Sequence, residues 1–124
     1  MKSFVVAIII FLSVSALSLG LAAVADERID EIISLTEQIK SEGVQAESSK
    51  KAIELAMAKW EKSEALFHIT INREDMILTK KEIADALGAS RASSYADFLV
   101  ATERLATSLD NIKGYTKCRL ENIF

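Results

Sequence analysis

One histidine, one cysteine and a cluster of serines are the residues of this 124-residue chain whose types most readily do chemistry. His68 has Glu64 four residues before it. On a helix that spacing puts imidazole and carboxylate on one face, half of a metal site. A complete site takes three or four ligands and no third stands nearby, so His68 reads as the residue closing the last turn of a helix. Ser90, Ser93 and Ser94 lie together. A serine nucleophile needs a base and an orienting group, and the single histidine is in another segment. Helix capping accounts for these serines better. There is no Gly-rich phosphate loop and no Cys/His cluster. No catalytic residue, cofactor or metal ligand is therefore assigned, and the chain is expected to be non-enzymatic. Cys118, between Lys117 and Arg119, cannot form an internal disulfide. A silent thiol is the main reading, with an intermolecular bridge or a reactive thiol as the alternative.

The elements that must position these residues are helices. Gly43, Gly88 and Gly114 each follow an apolar-periodic segment, which predicts helices ending near 42, 87 and 113. The first predicted helix covers 26–42 with Ile29, Ile32, Ile33, Thr36 and Ile39 on one face. Its acids Asp26, Glu27, Asp30 and Glu31 suit a helix N-terminus if the leader is cut; if it is not cut, the helix continues out of the membrane as one long rod. The second runs from about 45 to 67 or 69. Its seam of Ile53, Met57, Trp60, Glu64, Phe67 and Ile71 has heptad-like spacing with one polar member. Glu47 and Lys51 add a favourable outer pair. Asn72 with Asp75 three residues on resembles an N-cap and marks the next break. A third helix over 73–87 turns Met76, Ile77, Ile83, Ala84 and Leu87 inward. A fourth begins near Ser90 to Ser94, where Ser94 and Asp97 form a second cap-like pair. Its stripe is Tyr95, Phe98, Leu99, Thr102, Leu105, Leu109 and Ile112. No strand alternation or repeat is present. The fold class is all-α: an N-terminal hydrophobic helix followed by an antiparallel bundle of about four helices.

Trp60, Phe67, Tyr95 and Phe98 read as core at this spacing, with a pocket between helices as the alternative. Glu64 on the seam has three readings. It lies at the edge and snorkels or pairs with a Lys or Arg of another helix, it sets the register, or it is a functional carboxylate. The end of the chain, Leu120 to Phe124, is too apolar for a solvated tail. Ile123 and Phe124 are expected to dock on the domain, the membrane or a partner.

Residues 1–25 set the compartment. Lys2 precedes an apolar run from Phe4, and the first acids are Asp26 and Glu27. As a secretory signal it offers Ala23-Val24-Ala25 for cleavage before Asp26. As an anchor, about 22 residues at about 1.5 Å each just span a bilayer. Either way the charges orient it N-inside with the domain outside. A buried soluble core helix is the minor reading. The domain from 26 to 124 then has 14 Lys/Arg against 18 Asp/Glu. This mildly acidic surface argues against nucleic acid as a partner, since a phosphate backbone asks for a basic stripe.

Several of these features occur together in one family. The chain has an apolar N-terminal helix, Lys59-Trp60-Glu61-Lys62, then Phe67-His68, Asn72-Arg73-Glu74-Asp75, and a terminal Leu120-Glu121-Asn122-Ile123-Phe124. It resembles a family of small, N-terminally anchored helical proteins of spore-forming Firmicutes known only as a domain of unknown function. The likeness covers nearly the whole chain, but Lys113 to Arg119 stand outside the pattern. It implies an extracytoplasmic helical domain on an uncleaved anchor and a partner among membrane or envelope proteins. It implies no activity. The expected function is an interaction or accessory subunit; the alternative is a small-ligand module. The residues expected to matter are Trp60, Glu64, Phe67, His68, Phe98, Ile123 and Phe124.

Overall fold

The computed structural model describes residues 1–123, with side chains for residues 1–114. Four helices follow one another: α1 (Lys2–Glu42), α2 (Glu47–Thr70), α3 (Arg73–Arg91) and α4 (Tyr95–Ile123). No strand occurs among the described residues. Packing joins α1 to α2, α2 to α3, α3 to α4 and α4 back to α1, a closed up-down-up-down bundle.

The leader and the first bundle helix are a single rod. With 41 residues, α1 is about 62 Å long at about 1.5 Å per residue. No glycine or proline stops it, because Gly20 costs only about 1 kcal/mol in a helix interior. The acids at 26–31 therefore cap no helix end. Asp30 accepts from Lys113 of α4, and Glu31 accepts from Lys59 of α2 at 3.2 Å. The apolar part of α1 is bare, and Phe4, Phe11 and Leu17 are each at least 64% exposed. Burial begins in earnest at Ala25. This is one helix long and apolar enough to cross a membrane.

The core follows from the stripes. Ile29, Ile32 and Ile39 of α1 meet Ile53, Trp60 and Phe67 of α2, Ile83 of α3, and Phe98, Leu105 and Leu109 of α4, all essentially inaccessible to solvent. The buried threonines Thr36 and Thr102 bond carbonyls of their own helices, at 2.7 Å each, so they enter the core without an orphaned hydroxyl. Four expected core positions are exposed: Ile77, Ala84, Tyr95 and Leu99. Each helix buries only the face turned towards its two neighbours, and these residues fall just outside that arc.

The breaks correct the glycine reading in two of three places. Gly43 ends α1 at φ 90°, with its N–H donating to Ile39 O at 2.9 Å. Gly88 lies inside α3 and Gly114 inside α4. The residue that ends α3 is Ser93, at φ 55°. Ser94 N donates to Ala89 O at 2.9 Å and Ser93 N to Ser90 O at 3.1 Å. That is the paired 6→1 and 5→2 closure of a Schellman motif, with serine in the place usually taken by glycine. The break at Ile71-Asn72 stands where expected. Asn72 Oδ1 accepts from Glu74 N at 2.8 Å, satisfying a donor at the start of α3.

Candidate functional site

Trp60, Phe67 and Phe98 are all buried in the core and none is accessible to solvent, but only Trp60 and Phe67 meet. The Lys40–Glu103 and Lys113–Asp30 pairs place Phe98 at the end of the bundle away from Phe67. The Trp60 and Phe67 rings sit one helical step of seven apart on α2, with centroids 4.7 Å apart and planes tilted by 46°. The contact adds to the area these rings bury. Trp60 Nε1 and Thr79 Oγ1 find no partner among the described residues. This constellation builds the core.

Glu64 lies at the edge of the seam, where α2 meets α3, and its carboxylate accepts a hydrogen bond from the Lys80 ammonium. That bond, opposed by desolvation, holds the lysine above its ordinary value, with Glu61 contributing at longer range. Four residues on, His68 is exposed in the last turn of α2. No group of three or more His, Cys, Asp or Glu arranged to hold a metal occurs among the described residues. Glu47 and Lys51 are both exposed. The backbone of Ile123 closes α4, while its side chain, Phe124 and the side chain of Cys118 lie outside what is described.

One polar contact in the core had no clear sequence signal. Glu82 of α3 is 9% exposed and accepts a hydrogen bond from the Ser108 hydroxyl of α4. Nothing in the spacing around Glu82 distinguishes it from the exposed acids of the same helix. Only its position beside α4 buries it.

A concave feature of the surface lies elsewhere. A groove of about 400 Å³ lies where the apolar half of α1 joins the bundle. Its walls are Ser18, Leu19 and Ala22 of α1, the Ile69–Ile71 end of α2, and Ile112 with Lys113 of α4. Its lining is chiefly apolar, with Asp26 and Lys113 at the bundle side. Lys113 is held above its ordinary value first by its hydrogen bond to Asp30, against desolvation, and also by Asp26 and Asp110. The groove can accept an apolar body at a charged rim, and it shares no residue with the aromatic cluster. Comparison of the chain with protein-family models, curated proteins and solved structures finds no match.

Proposed function

We propose that this protein is a non-enzymatic accessory subunit. Its helical domain is held on the outer face of the cell membrane by an uncleaved N-terminal span and engages a membrane or envelope protein. The observation that carries this reading is the continuity of α1. The same uninterrupted helix presents a bare apolar segment and, from Ala25 onward, one wall of the bundle core. A span that runs without a hinge into a core helix fixes the domain's height and orientation over the bilayer, which suits docking to a neighbour in the same membrane. The disposition of polar groups is consistent with a binding rather than a catalytic role: Glu64 is engaged by Lys80, and His68 stands at an open surface. The resemblance to small anchored helical proteins of spore-forming Firmicutes points the same way.

The test is the intact mass of the protein recovered from its native membranes, followed by cross-linking in those membranes. A full-length mass in the detergent phase, with a reproducible cross-linked membrane protein, is the expected result. A soluble species beginning at Asp26 overturns the anchored reading. The groove favours a second reading, a module that binds an apolar ligand. In that case the purified chain would carry an extractable apolar small molecule and no protein partner.

A further inference from the structure

Cross-helix bonds set the height of each helix against α1. Lys59 lies beside Glu31 and Ser48 beside Glu42, so each residue gained along α2 is one lost along α1. Continued at that register, Ile69 to Ile71 stand level with residues 19–21. The groove, where Ile69, Thr70 and Ile71 face Leu19, Leu21 and Ala22, places them at the same height independently. The Lys80–Glu64 pair carries the register to α3 and sets Ile77 and Leu78 level with about residues 23 and 24 of α1. The α2–α3 turn is therefore the end of the bundle nearest the span, and it is apolar on its outside. Ile69 is 71% exposed, Ile77 60% and Leu78 48%.

The length of the bare part of α1 gives these residues a neighbour. From Lys2 to Ser18, below the turn, α1 measures about 25 Å at about 1.5 Å per residue. A hydrocarbon core is about 30 Å thick. The shortfall of about 5 Å, or roughly three residues, ends at the height of Ile69. We propose that the α2–α3 turn, from Ile69 to Leu78, rests in the headgroup layer of the bilayer that α1 crosses, with Ile69, Ile77 and Leu78 as its apolar contacts. The exposed polar tip, Asn72 to Glu74, limits the depth to the headgroups. Local thinning of the bilayer supplies the remaining few ångströms. The contact gives the bundle a second foothold and removes its freedom to swing about α1. It rests on the reading of α1 as a span.

Three single-cysteine variants of the full chain, made with Cys118→Ser, test this in phosphatidylcholine–phosphatidylglycerol vesicles carrying a lipid-attached spin-label quencher. A nitrobenzoxadiazole label is placed by Val6→Cys in the apolar run, Ile77→Cys in the turn, and Leu99→Cys as an exposed site far from the span. Labels at 6 and 77 are expected to lose most of their emission to the quencher while the label at 99 keeps its own. Leu78→Cys is a second reporter should the first fail to fold. Quenching at 6 with none at 77 overturns the docking alone. No quenching at 6 overturns the span and the docking with it. A blue-shifted label at 77 that the lipid quencher does not reach means that a protein or a second copy covers the turn, which also overturns the proposal.

Discussion

The same substitution at three glycines is predicted to act with opposite signs. Gly43 sits at φ 90° and ψ 149°, a region that side-chain-bearing residues rarely enter. A Cβ built there meets nothing within 4 Å, so the penalty for alanine is conformational and not steric. It amounts to about 1–3 kcal/mol destabilising. Gly88 and Gly114 are exposed, helical and equally free of neighbours. Alanine at either removes the helix-interior cost of glycine and stabilises by about 1 kcal/mol. For a domain of this size, each kcal/mol moves the melting temperature by about 4–8 °C. Gly88→Ala should therefore melt higher by about that much, and Gly43→Ala lower by at least as much. The assay is thermal and urea unfolding of the full chain in mild detergent. Trp60, the single tryptophan and wholly buried, reports bundle opening through its emission. A Gly43→Ala variant as stable as the parent would refute the assignment of Gly43 as the stop of α1. A destabilised Gly88→Ala would refute a helix running through to Arg91.

Three further outcomes can be checked in the same assay. Ser93→Gly should stabilise by about 0.5–1 kcal/mol, because a left-handed serine costs about 1–2 kcal/mol and glycine returns part of that as unfolded-state entropy; no gain would argue against the Schellman closure of α3. Ser108→Ala should destabilise by about 1–3 kcal/mol by stranding the Glu82 carboxylate, whereas Ser108→Ala with Glu82→Leu should recover most of the loss; additive losses would mean that the two do not interact. Stability should also depend on pH through the cross-helix pairs. The Lys59 hydrogen bond holds the Glu31 carboxyl below its ordinary value against a desolvation penalty, with Arg28 assisting. A depressed carboxyl stabilises the fold above its unfolded value and loses that contribution as pH falls through the folded one. Lys80 and Lys113 are raised, so their contribution is full below the ordinary lysine value and is lost as pH rises through the folded one. Lys59→Met should flatten the acid limb, below about pH 4.5, and leave the alkaline limb, above about pH 10, in place; an unchanged acid limb would refute the Glu31 assignment.

Much of the architecture can be read from local periodicity, because a helix stripe is a property of neighbouring residues. Ile29, Ile32 and Ile39, the Ile53–Trp60–Phe67 seam, and Leu105 with Leu109 are all core, and the break at Asn72 carries its own capping side chain. The apolar run from Phe4 is equally local, and composition alone determines that it can cross a membrane. What local chemistry could not decide was which of several stops is used. Gly88 and Gly114 have the right residue type, but a glycine only permits a turn; α3 and α4 run past them, and the left-handed position that ends α3 falls on Ser93. The continuity of α1 through Asp26 follows from the lack of any local stop, whereas the partners of the acids at 30 and 31, Lys113 and Lys59, are set only when the bundle is assembled. Glu64 could be placed on the seam from its spacing, but its partner Lys80 is sixteen residues away on another helix. The groove, the height of the α2–α3 turn and the burial of Glu82 belong wholly to tertiary structure, because they depend on the register between helices and no single helix encodes it.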